Sequence, residues 1–187
     1  VLNAVDRALT ATVNATRPFY RRHPYRGGLW ISEVDMRVAV SLEAGFLFNR
    51  LPKCANSTLS AVLAEALGAT ALRDATKRPV ALSRAEVRRL PELFKFAVVR
   101  DPYTRTLSAY RDKIVGRKRQ SKRPLRLLAG RFGTDSPSFE QFCLYLRDGG
   151  LFDDNHWAPQ THGLLLPPDG YDRIARFERL DEEVAEI

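Results

Sequence analysis

Lys53, Asn56, Ser57 and Thr58 lie in the stretch NRLPKCANSTLSAVLAEAL, where an apolar run gives way to an amphipathic one. A strand-to-helix turn of that composition suits an anion. The first turn of a helix presents unpaired backbone N–H groups and the positive end of its dipole. Lys53 adds a full charge, Ser57 and Thr58 add hydroxyl donors, and Ala55 and Asn56 are small enough to let the backbone wrap an oxyanion. Ser57 would equally serve as an ordinary helix cap. Cys54 sits in the same loop, where nearby positive charge would lower its thiol pKa, although small-residue packing accounts for it as well. The loop is no Walker A element, because GxxxxGK[ST] is missing and the lysine precedes the turn.

A second corner has the same logic. In FKFAVVRDPYTRTLSAYRDK a buried-type strand releases Arg100 at its C-terminal tip, the edge of an open α/β sheet where ligands bind. Arg100 could fork onto a phosphate or act as a structural ion-pair partner. Ser108 lies two turns into the following helix, with Asp101 and Arg105 placed to fix the geometry by capping and ion pairing. Of the histidines, His156 stands in the polar-aromatic segment FDDNHWAPQ, and His23 and His162 are expected to be incidental. Asp112, Asp153, Asp154 and Glu178 are carboxylate alternatives for proton transfer. Trp157 reads as a core residue or as a stacking surface for a sugar or base.

The elements that must hold these corners follow from periodicity. Residues 1–14 have apolar positions at helical spacing, and TRPFYRRHPYRGG after them is expected to be a basic surface arm. MRVAVSLEAGFLFNRLP reads as two extended runs broken at Glu43–Gly45, the second buried on both faces. Leu59, Val62, Leu63, Ala66 and Leu67 would share one face of a helix stopped by Gly68. SRAEVRRL opens with a capping box, Ser83 with Glu86, and a second capped helix is expected within SPSFEQFCLYLRDGG. Asp101 and Pro102 fit the N-cap and first position of a helix, and YDRIARFERLDEEV reads as a strand running into a helix. Strand, helix, helix, strand, helix in that order is βαβ logic and predicts an α/β, three-layer, P-loop-like fold with a mostly parallel central sheet flanked by helices.

A chain of 187 residues, 44% hydrophobic and 28% charged, predicts one domain over 1–187, with 1–28 as helix and arm and 29–187 as the α/β core. The formal charge of +8 favours anionic partners. Residues 117–126, RKRQSKRPLR, form a basic run without an acid, read as a solvated loop or as a grip on an anionic acceptor. Two cysteines make no disulfide framework or zinc spacing, which favours a reducing compartment. No window is long and apolar enough to span a membrane, and VLNAV and LDEEVAEI suggest a piece of a longer protein.

These residues carry a family resemblance. RLPKCANSTLSAVL resembles the 5′-phosphosulfate loop, and VVRDPYTRTLSAYRDK the 3′-phosphate motif, of sulfotransferases that use 3′-phosphoadenosine 5′-phosphosulfate (PAPS). The likeness is to the carbohydrate branch that includes the chondroitin and dermatan 4-O-enzymes, and DNHWAPQ and YDRIARFERLDEEV look like its later blocks. The resemblance implies that Lys53, Cys54, Ala55, Asn56, Ser57 and Thr58 form the 5′-phosphosulfate loop, and that Arg100 with Ser108 holds the 3′-phosphate. It also implies a hydroxyl acceptor, a carbohydrate either anionic or neutral, with adenosine 3′,5′-bisphosphate as product. Where animal members have a cysteine pair after the His-Trp block, this chain has THGLLLPPDG, which fits a cytoplasmic, bacterial-type relative. Ser-Thr replaces the branch's usual Thr-Asn-Trp, so the roles of Asn56, Ser57 and Thr58 are open by one position.

Sulfuryl transfer needs positioning and charge stabilisation more than covalent help. The resemblance gives Lys53 the charge on the leaving oxygen, and His156 is the first candidate for the base. A transferred group with a single negative charge does not require a metal, and none is expected. Competing readings are a P-loop-like nucleotide kinase or other phosphotransferase and a basic nucleic-acid-binding module. The first lacks a Walker lysine and an acidic strand end for Mg²⁺, and the second lacks zinc-finger spacing or an RNA-binding aromatic signature.

Overall fold

The structure, a computed structural model, describes residues 2–68, 76–116 and 122–187, apart from the side chains of 122, 123 and 186. Five strands make one sheet: β1 (Val38–Ser41), β2 (Phe46–Asn49), β3 (Thr76–Lys77), β4 (Phe94–Val99) and β5 (Arg173–Arg176), in the order β3-β1-β2-β4-β5. The two runs flanking Glu43–Gly45 form the β1–β2 hairpin, with Gly45 at φ 76 in the turn. β2, β4 and β5 run parallel, while β1 and β3 are antiparallel to their neighbours, so the sheet is mixed with a parallel core three strands wide.

Side chains alternate across that core as the two-residue period of a strand demands. Leu47 and Ala97 face one layer with Phe19, Tyr20, Val34 and Leu165. Phe46, Phe48, Phe96 and Val98 face the other with Leu59 and Ala175, and the Phe48 and Phe96 rings stack at 4.6 Å. Such a pair adds about 0.5–1.5 kcal/mol beyond its burial. A third cluster of Ala109, Ile114, Leu128, Phe142 and Trp157 joins the later helices.

The segment expected as a surface arm is instead docked. Pro18–Arg22 is helical, and Phe19, Tyr20 and Tyr25 are buried in the first cluster. Asn14 brackets Tyr25 through its backbone, at 2.9 and 3.0 Å, and the Tyr20 hydroxyl donates to Asp35 at 2.9 Å. Basic residues and Pro/Gly punctuation masked an aromatic anchor; each such ring contributes roughly 1.5–3 kcal/mol when buried. The predicted apolar helix face is likewise only partly packed: in Asn56–Leu67 Leu59 is buried, but Val62 and Leu67 are exposed.

Both capping boxes are present, Ser83 with Glu86 and Ser138 with Gln141, and Asp101 caps Pro102–Ala109 by accepting from the Thr104 N–H at 2.9 Å. That helix continues as a π-helical turn, Tyr110–Val115, with the Gly116 N–H donating to Arg111. Most of the basic run, residues 117–121 and the side chains of 122 and 123, lies outside the described residues; Lys122–Phe132 is helical. Among the described residues no helix is long and apolar enough to cross a membrane.

Candidate active site

Because β2 and β4 are parallel, with Asn49 opposite Ala97, the loops that leave them emerge on the same edge of the sheet. The two corners therefore meet. Arg37, Lys53, Ala55, Asn56, Ser57, Thr58, Arg100, Ser108, Asp112, His156 and Phe177 are among the residues lining one open cleft of about 350 Å³. That volume falls in the ~300–1,000 Å³ range of small-molecule sites.

The first corner is built under strain. Among the described residues, Lys53 (φ 67) and Ala55 (φ 56) are the non-glycine residues in the left-handed region, which costs on the order of 1–2 kcal/mol each. Alternating left-handed residues curl a chain so that successive N–H groups point into one concavity, the geometry of an anion nest. Ala55 is the N-cap of Asn56–Leu67 and no side chain caps the helix, so Ser57 sits inside the first turn with its hydroxyl free for another role than capping. The Lys53 ammonium is 3.2 Å from Asp112, which also lies 3.7 Å from the buried Lys113 ammonium.

At the second corner the Arg100 guanidinium lies over the Phe177 ring at 4.1 Å and donates to the Lys53 carbonyl at 3.3 Å, tying the corners together. The strand tip is held by Gln160, whose Oε1 accepts from the Arg100 N–H at 2.9 Å while its Nε2 donates to the Arg100 carbonyl at 2.7 Å. The same Oε1 accepts from the Cys54 thiol at 3.2 Å. Cys54 is buried beneath the loop instead of lining the cleft, and burial pushes its thiol up to about 11, against the lowered value a reactive thiol would need. Its contribution is packing.

Arg105 departs from its expected ion-pairing role. It is 4% exposed and donates to three backbone carbonyls: Pro52 at 3.0 Å, Ala158 at 2.7 Å and Asn155 at 2.9 Å. One guanidinium thus pins the 50–55 loop and the 153–160 segment to the helix carrying Ser108. Arg105→Leu removes three buried charged hydrogen bonds, leaving only the Cys54 thiol on the Pro52 carbonyl, and is expected to lower unfolding free energy by about 3 kcal/mol, read by chemical denaturation.

His156 faces the cleft with its proton placement set by a neighbour. Its Nδ1 lies 2.5 Å from Asp154 Oδ1, and because a carboxylate only accepts, Nδ1 carries the hydrogen and Nε2 keeps a lone pair. Burial holds the imidazole below its ordinary pKa, outweighing the Asp154 contact that raises it, with Lys113 and Arg37 adding to the depression. Burial raises Asp154, but its bonds to His156 bring it below the usual carboxylate range. The result is a neutral imidazole oriented by an ionised carboxylate.

The remaining candidates separate. Asp153 accepts from the Tyr145 hydroxyl at 2.6 Å and Glu178 from the Asp101 N–H at 2.9 Å, so both are occupied in structure. Trp157 is a core residue, donating to the Gly150 carbonyl at 3.0 Å with its ring edge-on to Phe142. His162 accepts from the Gly28 N–H at 2.8 Å and His23 packs on Phe19. Asp112 alone of the other carboxylates lines the cleft, between two ammonium groups.

A sequence profile described as the Sulfotransferase family matches residues 36–187, most of the chain. The chain belongs to the sulfotransferase family. Carbohydrate sulfotransferase 14 of Mus musculus is 32% identical and that of Homo sapiens 31% identical, each over 108 residues, 53% of this chain and 29% of the relative. The chain therefore spans less than a third of the curated relatives it matches. No solved structure matches it significantly.

Within this sulfotransferase domain, the candidates Lys53, Ala55, Asn56, Ser57, Thr58, Arg100, Ser108 and His156 line one cleft together, and Cys54 does not. Arg37, Gln160 and Phe177 were missed. Gln160 and Phe177 stand inside segments already singled out, DNHWAPQ and YDRIARFERLDEEV, but their partners are far away in sequence. Nothing local marks Arg37.

Proposed function

We propose that this chain transfers a sulfuryl group from PAPS to a hydroxyl group of a carbohydrate. The observation that carries the reading is the convergence, in one cleft, of the strained loop before Asn56–Leu67, the Arg100–Ser108 corner and an oriented neutral histidine. Membership of the sulfotransferase family implies a PAPS-type sulfonate donor, and the carbohydrate sulfotransferase relatives support a sugar acceptor.

The residues fit such a donor. A doubly anionic adenosine nucleotide needs two separated anion seats joined by a cleft, and the two corners supply them with Lys53 and the helix N-terminus at one and Arg100 with Ser108 at the other. PAPS supplies the sulfuryl group together with a phosphate that leaves readily. Ser57 and Thr58 donate hydroxyl hydrogen bonds to the 5′ side, and Lys53 stabilises the negative charge that grows on the phosphate oxygen. His156 Nε2 takes the proton of the acceptor hydroxyl, and Asp154 stabilises the imidazolium that results. Asp112 pairs with the Lys53 ammonium at 3.2 Å and holds it at the cleft.

Calorimetry with adenosine 3′,5′-bisphosphate tests the nucleotide half. Binding is expected, with Arg100→Ala losing roughly 10–100-fold in affinity, the worth of a charged hydrogen bond at 1.5–3 kcal/mol. Ser108→Ala is expected to lose about 3–10-fold, at the 0.5–1.5 kcal/mol of a neutral one. A wild-type chain with no affinity for the bisphosphate would rule the reading out.

A further inference from the structure

Two arginines beside the cleft have no part in the mechanism so far. Arg37 and Arg50 stand across from each other just beyond the last β1–β2 pair, Val38 with Asn49, and the Arg50 N–H donates to the Arg37 carbonyl at 2.7 Å. Like charges directly opposite on neighbouring strands repel. Burial lowers the Arg50 guanidinium from its ordinary value, and Arg37 lowers it further. Arg50 Nη2 donates to the Met36 carbonyl at 2.7 Å, yet the buried Nε atoms of both arginines have no hydrogen-bond partner. A buried N–H without an acceptor carries its full desolvation cost, so two of them side by side, under mutual repulsion, call for an anion.

Their position says on which side of the reaction that anion lies. Arg37 lines the cleft with His156, and with Arg50 it also lines a crevice opening off the cleft past Pro52. The crevice offers about 10 Å³, space for one water-sized group and not for a sugar ring. Glu33 lines it as well. The two anionic ends of the donor already have seats at Lys53 and at Arg100, whereas the neighbour of His156 is the acceptor.

We propose that Arg37 and Arg50 form an anion subsite for the acceptor, receiving a carboxylate or sulfate on the sugar adjoining the hydroxyl that His156 deprotonates. The oxygen enters the crevice mouth while the ring stays in the cleft. Guanidinium groups favour both anions through paired N–H donors, and the unsatisfied Nε atoms are suitable members of such pairs. The inference rests on the sulfotransferase reading above and names the acceptor class that reading leaves open.

The test uses the chain saturated with adenosine 3′,5′-bisphosphate and three oligosaccharide probes in calorimetry: an unsulfated uronic-acid-containing oligosaccharide, its carboxyl-reduced neutral counterpart, and that counterpart bearing sulfate esters. The wild type is expected to bind at least one charged probe about tenfold or more tighter than the neutral one. Preference for the first identifies the carboxylate as the bound group, and preference for the third identifies the sulfate. Arg37→Gln and Arg50→Gln are each expected to bring the charged probe to within about threefold of the neutral one. Unchanged far-UV circular dichroism in both variants, and unchanged bisphosphate affinity in Arg50→Gln, whose side chain does not line the donor cleft, certify their fold. Equal losses on charged and neutral probes, an unchanged preference, or no wild-type binding of any probe would overturn the subsite. Failure of the wild type to bind bisphosphate would instead strike the sulfotransferase reading itself.

Discussion

Replacing Lys53 with alanine is expected to cut turnover about 10²–10³-fold, the usual effect of removing one donor from a developing oxyanion. Affinity for adenosine 3′,5′-bisphosphate should fall by about tenfold at most, because the helix N-terminus and the hydroxyls of Ser57 and Thr58 still serve the 5′ group. The asymmetry follows from the role proposed for the ammonium. Charge on the bridging oxygen grows only as the S–O bond breaks, so its stabilisation appears in the barrier more than in the ground state. The fold has little reason to suffer: alanine occupies the left-handed region no worse than lysine, and Asp112 keeps Lys113 as a partner at 3.7 Å. Single-turnover rates on labelled PAPS beside calorimetry make the measurement. Equal losses in rate and affinity would reduce Lys53 to a binding residue.

His156→Gln should lower kcat/KM by about 10²–10⁴-fold and erase the acid limb of its pH profile. A base must be unprotonated, so the rate of the native chain should fall as pH drops through the His156 pKa. Burial holds that pKa below its ordinary value, which places the limb on the acid side of a normal imidazole and leaves the rate flat through neutrality. Asp154→Asn removes the charge opposite Nδ1 while keeping shape. It should lower the rate and move the limb further toward acid, since the Asp154 contact is what raises the imidazole against burial. Retention of full activity by His156→Gln would transfer the proton to Asp112, the one carboxylate candidate that lines the cleft.

Much of the site is legible because its chemistry is local. Helix-start geometry, capping boxes and strand tips are written within a few residues of one another, so Lys53 through Thr58 and Arg100 through Ser108 could be found by spacing. Errors arose where composition stood in for packing. The basic arm at 16–28 concealed Phe19, Tyr20 and Tyr25, whose burial outweighs the exposure its arginines suggest. Arg105 read as an ion-pair former steadying Ser108, yet it is buried on three carbonyls contributed by two other segments. The π-helical turn at Tyr110–Val115 has no signature in a helical period.

Alone, the order of residues determined the α/β class, both anion-suited corners, the caps that begin their helices and the candidate histidine, since each depends on side chains and N–H groups adjacent in the chain. Tertiary structure decided the rest. Parallel pairing of β2 with β4 put the two corners on one edge, and folding back of the 153–160 segment brought His156 and Gln160 to them. Arg37 reached Arg50 through an antiparallel pairing of separate strands. Contacts between residues tens of positions apart are set by which surfaces bury together, and no local spacing encodes that choice.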